Sequence, residues 1–257
     1  MKTKKIIYLL GIIIAVAPYF LFSCKLSDDE DIITSLNLEI SNEYLDLNGG
    51  IKGGLVEGAE VFLYRSDSDR LNEVNLVAWD VTESDGVVSF SAGLEPIVYY
   101  FDAIYNGQTN WDGITSTGNP LIPNASNNVR VNIYGRLDGK SPSALLSSTE
   151  GKIWRIVSIR NYSNGMELID ESMYRYLKNE RFKLFKNKEI KASTKGKGEW
   201  KIFEENSSLI KNRLVFEFGG DNFMDLFNIS NMTPTTIKAV GKIDLGEDCF
   251  IDLELVQ

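Results

Sequence analysis

The sequence predicts an all-β fold in two modules, and three observations carry the prediction. Beyond residue 34, apolar runs of roughly four to eight residues are divided by clusters of Gly, Asn, Asp and Ser, the spacing of short strands and turns. No window shows sustained helical periodicity, apart from a short turn around Glu171 to Leu177. Gly135 to Ser148 is rich in Gly, Ser and Pro and divides the strand pattern in two. The expected boundaries are a first β module at 35–139, a linker at 140–148 and a second β module at 149–257.

In the first module, Gly58 to Tyr64 reads as a strand and Arg65 to Arg70 as a polar loop. Asn75 to Val81 is a second strand. Ser84-Asp85-Gly86 is a turn signal leading to a third at Val87 to Ser91. Leu94-Glu95-Pro96 introduces Ile97 to Tyr105, and Val129 to Tyr134 closes the module with Val129, Val131 and Ile133 on one face. The Gly-Ala-x-Val-x-Leu-Tyr strand, the Asp-Gly-x-x-x-Phe hairpin and the Leu-x-Pro-x-x-Tyr-Tyr strand resemble carboxypeptidase-regulatory-like, or prealbumin-like, β-sandwiches. The resemblance implies an Ig-like sandwich that spaces or presents other parts, with no catalytic residues to carry over.

Within the linker, Leu145 and Leu146 point to a part that docks. The second module opens with Lys152 to Ile159 and continues through Glu180 to Phe185, Gly198 to Phe203, Leu214 to Phe218, Met224 to Ile229, Thr235 to Leu245 and Cys249 to Val256. Consecutive strands with short connections read as an antiparallel meander, which removes its edges by closing into an up-and-down barrel. Gly151-x-x-Trp154, Phe182-x-x-Phe185, Gly198-x-Trp200-x-Ile202 and Ile229-x-x-Met232-Thr233-x-x-x-Ile237 resemble the lipocalin-like domains of Bacteroidota surface lipoproteins. Two departures stand out. The lipocalin pattern is Gly-x-Trp, one residue shorter, and lipocalins place a late-strand Arg over that Trp, whereas the last arginine here is Arg213. The barrel interior is expected to hold the chain's own aromatic rings.

The N-terminus gives an address. Lys2, Lys4 and Lys5 precede the apolar stretch Ile6–Phe22, 17 residues long and interrupted by Pro18. That is short for a membrane span and has the order of a secretory signal. Leu21-Phe22-Ser23-Cys24 resembles a bacterial lipobox, which implies cleavage before Cys24, thioether linkage of its thiol to diacylglycerol, and a signal peptide at 1–23. Lys25-Leu26-Ser27-Asp28-Asp29-Glu30-Asp31 follows, inside an acidic tether at 24–34. Like charges keep such a run extended. It also resembles the export signal of Bacteroidota surface lipoproteins, implying the outer face of the outer membrane.

The whole chain has 257 residues and a net charge of −9. Residues 1–23 hold three lysines and no acid, so the remainder carries 24 basic against 36 acidic side chains, a net −12. Such a body gains nothing beside phosphate, which argues against nucleic acid as a partner. There is no histidine, which removes Ser-His-Asp and Cys-His chemistry and the commonest zinc ligand. With Cys24 lipidated, Cys249 has no disulfide partner in its own chain and reads as a buried, inert thiol.

The candidates for chemistry are one acidic run and the four tryptophans. Asp67-Ser68-Asp69 lacks the spaced ligands of a calcium loop and reads as a solvated turn, with no metal expected. Trp111, in Asn110-Trp111-Asp112-Gly113, is either an exposed platform for a sugar face or a ring folded back over the sandwich. Trp154 and Trp200 read as barrel core, with ligand lining the alternative, and Trp79 reads as sandwich core. The expected function is a lipid-anchored, non-catalytic binding or interaction protein of the outer membrane, without cofactor, engaging an outer-membrane protein partner. The alternatives are a barrel carrier of a small apolar ligand, or a glycan-capture accessory lipoprotein.

Overall fold

The structure of the protein, a computed structural model, describes residues 33–46, 48–135, 139–204, 212–244 and 246–256. The expectations for the signal segment, for Cys24 and for most of the tether fall outside the described residues. From Thr34 onward the described residues belong to one unit.

β1 (Ser35–Ser41) reads Ser-Leu-Asn-Leu-Glu-Ile-Ser and buries Leu36, Leu38 and Ile40, the period-2 alternation of a half-buried strand. A small hairpin of β2 (Tyr44–Leu45) and β3 (Ile51–Lys52) leads to β4 (Glu60–Tyr64). The expected polar loop after β4 is a short helix, α1 (Asp67–Asn72). Ser66 caps it by accepting from the Asp69 N–H at 3.0 Å, and Asp67 and Asp69 sit in its first turn, where a helix favours negative charge. The Asp67-Ser68-Asp69 run is therefore a helix start. β5 (Ala78–Val81), β6 (Val87–Phe90), β7 (Tyr100–Tyr105), β8 (Gln108–Thr109) and β9 (Ser126–Asn132) complete the first half.

These strands make two sheets, in orders β6-β1-β9 and β5-β4-β7-β8. β1 pairs antiparallel with β6 and parallel with β9, a pairing that needs a long crossover, which the second sheet supplies. Leu36, Leu38, Ile40, Val88 and Phe90 of the first sheet share one apolar cluster with Val61, Leu63, Phe101 and Ala103 of the second. The Ser84-Asp85-Gly86 turn forms as expected, with Gly86 at φ +72, but β5 and β6 do not pair across it. It carries the chain from one sheet to the other.

The linker contains α2 (Pro142–Leu146), with Ser141 as N-cap and Pro142 at the first position, where its missing N–H costs nothing. The second half is β10 (Lys152–Asn161), a 3-10 turn at Arg175–Asn179, β11 (Phe182–Leu184), β12 (Glu189–Ala192), β13 (Gly196–Glu204), β14 (Asn212–Phe218), β15 (Asp221–Met232), β16 (Thr236–Ile243) and β17 (Cys249–Leu255). Each strand pairs antiparallel with the next, and β17 returns to β10, closing an eight-stranded barrel. Closure satisfies the edges that an open meander would expose. β12 is the strand that the sequence reading did not separate. Gly198 has a steric reason: a Cβ there would lie 2.0 Å from the Glu217 carbonyl oxygen on β14. The barrel cluster includes the buried rings of Phe182, Phe216 and Phe223, with Phe182 5.4 Å from Phe216 and 6.0 Å from Phe223.

Candidate functional site

Chemistry-bearing side chains gather where the sandwich meets the barrel, around α2 and the β11–β12 turn. The last carbonyls of a helix have no partner within the helix. In α2 they are met from β10: Lys152 Nζ donates to Ala144 O at 2.6 Å and Leu145 O at 3.0 Å, and Trp154 Nε1 donates to Leu146 O at 2.8 Å. Leu145 and Leu146 enter the barrel cluster. At the other end of α2, Asp112 Oδ2 accepts from Ser141 Oγ and from the Ser143 N–H, the latter at 2.9 Å.

The β11–β12 turn contributes two lysines. Lys188 sits at φ +67, a left-handed conformation that costs a non-glycine residue about 1 kcal/mol and draws attention to its side chain. Its ammonium lies 4.0 Å from the Trp200 ring centroid and donates to Ser143 Oγ at 2.6 Å. Burial lowers its pKa, helped by Arg70 and opposed by Asp112. Trp200 Nε1 donates to Phe185 O at 2.9 Å. The Lys188 cation lies over Trp200, not over the Trp154 of the Gly151-x-x-Trp154 pattern.

Lys186 points the other way, into the sandwich. It and Asp102 are each 2% exposed and form a direct ion pair. Lys186 Nζ also donates to Glu73 Oε1 at 2.9 Å and to Arg70 O at 3.1 Å, and lies 4.6 Å from the Trp111 ring centroid. Arg70, itself buried, donates to Asp102 Oδ1 at 2.9 Å and through Nε to Asp67 Oδ1 at 2.8 Å. Asn110 fixes the Trp111 loop on β7: its Oδ1 accepts from the Ala103 N–H at 2.8 Å, and its Nδ2 donates to Phe101 O and Ile114 O. Burial, with Asp102 and Glu73 beside it, pushes the Tyr64 hydroxyl up to about 12. Burial would raise the Glu73 carboxyl, but hydrogen bonds from Thr149 and Lys186 hold it below its usual range.

Three tryptophans singled out from the sequence thus converge on one junction. Trp154 and Trp200 are fully buried in the barrel cluster, and Trp111 is half-buried against Lys186. Trp111 Nε1 is buried without an acceptor among the described residues. Trp79 departs from expectation: it lies 52% exposed on β5, because its register partner Phe62 is on the face of β4 opposite Val61 and Leu63, away from the sandwich core. Cys249 is buried, and burial raises its thiol pKa.

The sequence reading missed Asp102, Arg70, Glu73 and Lys186. Asp102 left a signal. It is the one acid in the otherwise aromatic and apolar run Ile97 to Tyr105, and a carboxylate buried in such a strand needs a cationic partner. With every charge in this cluster paired, its chemistry is attachment: the barrel's lysine is held in a socket of the sandwich.

Among the described residues, no group of three acids or cysteines is placed to hold a metal ion, and no helix is long and apolar enough to cross a membrane. No family model matches the sequence. No curated protein matches it either. Among solved structures, the Bacillus anthracis TIE protein is similar at 15% identity over 77% of this chain, with a TM-score of 0.24. The match covers 32% of that protein, so the chain spans about a third of its length, and a likeness at this score carries no argument about fold or function.

Proposed function

We propose that the chain is a lipid-anchored interaction protein displayed on the outer membrane, in which a prealbumin-like sandwich holds a lipocalin-like barrel and the work is binding without catalysis. The observation that supports this reading is the use made of the junction indoles. Trp154 and Trp200 commit their N–H groups to backbone carbonyls of Leu146 and Phe185, and Trp111 lies on Lys186. Aromatic side chains suited to gripping a ligand are instead used internally: Trp200 within the barrel, Trp154 to tie α2 to it, and Trp111 to bind the sandwich to the barrel's Lys186. Two modules fixed in this way present their outer surfaces in constant relation, which favours recognition of a partner of defined shape over capture of a mobile small molecule. The closed antiparallel eight-strand barrel supports the lipocalin-like assignment, and the two facing sheets support the sandwich.

The test uses cells expressing the full chain. Globomycin is expected to block maturation, and Cys24→Ser to release the protein from the envelope. Protease added to intact cells should digest the wild-type chain, and amine-reactive cross-linking should join it to an outer-membrane protein. Protease resistance in intact cells, or cross-linking to no membrane protein, contradicts the proposal. An apolar fluorescent probe displaced by fatty acids from wild type but not from Trp154→Ala would replace it with the carrier reading.

A further inference from the structure

The outer face of the β5-β4-β7-β8 sheet carries a row of register partners, Trp79, Phe62 and Asp102. Directly opposite residues share a face. At one end of the row, Asp102 already receives a lysine from the barrel, held between a carboxylate and an indole ring. The other end is open. Trp79 is half-exposed on a regular strand, where tryptophan normally seeks burial, and Val74, Leu76 and Val81 near it are exposed as well. β5 is the outermost strand of its sheet, so its far edge has no strand partner among the described residues. An exposed apolar edge of this kind is a template for pairing.

The charge beside that edge is one-sided. Glu60, the register partner of Val81, is exposed, and so are Asp80 and Glu83. None of the three has an ion-pair partner among the described residues. We propose that β5 and the face beside it receive an extended, basic segment of a partner protein, which adds to the edge as a strand, covers Trp79 and meets these carboxylates. An open backbone edge selects an extended peptide. The carboxylates select lysine or arginine, and an incoming cation finds an indole face at Trp79 as Lys186 does at Trp111. A second copy of this chain would bring its own β5 acids against these, and like charges directly opposed are unfavourable. An anionic bilayer is repelled for the same reason.

This inference deepens the interaction reading and rests on it. The probe is a fluorescein-labelled peptide of alternating lysine and valine, titrated by anisotropy into the full chain, with an alternating glutamate–valine peptide as control. Saturable binding of the lysine peptide is expected. Trp79→Ala should weaken it about tenfold or more, as for an aromatic anchor at an interface. Glu60→Gln with Asp80→Asn should weaken it and remove most of its salt dependence. Trp79 lies outside the core, so circular dichroism of Trp79→Ala should match wild type. Equal binding of the glutamate peptide, or unchanged affinity in Trp79→Ala, overturns the site. So does self-association or binding to anionic vesicles that Trp79→Ala abolishes. If cross-linking in cells still captures a membrane partner through Trp79→Ala, the site falls and the interaction reading stands; if no variant captures one, the reading beneath it falls.

Discussion

Asp102→Asn is the sharpest probe of the junction. Asp102 accepts from Arg70 at 2.9 Å and pairs directly with Lys186, while Arg70 is only 7% exposed. At an effective dielectric near 20, each such pair is attracted by about 4 kcal/mol at 4 Å. Desolvating each ion costs several kcal/mol, so the intact triad comes close to breaking even. Removing the shared anion does not, because it strands two buried cations; such losses run at about 3–5 kcal/mol. Arg70 keeps Asp67 at 2.8 Å and Lys186 keeps Glu73 at 2.9 Å, but both acids are nearly half exposed and screened by water, so the expected loss is about 3 kcal/mol. Urea unfolding, followed by tryptophan fluorescence and by circular dichroism, should show a midpoint lowered by about 1 M or more for a slope of up to 3 kcal/mol/M. The triple variant Arg70→Met, Asp102→Leu, Lys186→Met should lie well above Asp102→Asn, because no buried ion is left unpaired and the two acids that lose a cation, Asp67 and Glu73, are nearly half exposed to water. An Asp102→Asn midpoint equal to wild type, or a triple variant less stable than the single one, refutes the reasoning.

Three further outcomes are expected. Glu167 accepts from Ser158 Oγ at 2.7 Å and from the N–H groups of Ile159 and Ile169; burial acts to raise its pKa, but these bonds outweigh it and hold the carboxyl below its usual range. A depressed carboxyl stabilises the fold above its unfolded pKa of about 4.3, and that contribution is lost as pH falls through the folded value, so Glu167→Gln should flatten the acid limb of a stability–pH curve below about pH 4.5. Leu146→Ala empties a fully buried site between α2 and the barrel and should cost about 2–5 kcal/mol in urea unfolding. In a Cys24→Ser background, Cys249 should resist iodoacetamide in the native protein and react promptly in urea, since its thiol is buried and its pKa raised.

The barrel was the more legible half. Its strands alternate residue by residue, as in Cys249, Ile251 and Leu253 inward against Asp252 and Glu254, and the connections are short. β12 escaped because Glu-Ile-Lys-Ala is too brief to establish a period. α1 escaped for a related reason: six residues hold fewer than two turns, although the Ser66-x-x-Asp69 spacing was a capping signal. Trp79 was misjudged because alternation tells which residues share a face but not which face is covered. Trp111 remained open because burial of a loop ring depends on what folds against it, and here that is Lys186, 75 positions away in the chain.

Local chemistry along the chain determined that this protein is built of strands, where it turns, and that its body is acidic and without histidine. Those properties need only a residue and its near neighbours. Tertiary structure alone decided which sheet each strand of the first half joined, and that a lysine and an aspartate 84 positions apart would be buried as partners. Burial is a property of what packs opposite a side chain, and for Asp102, Lys186 and Trp79 that neighbour exists only once the chain has folded.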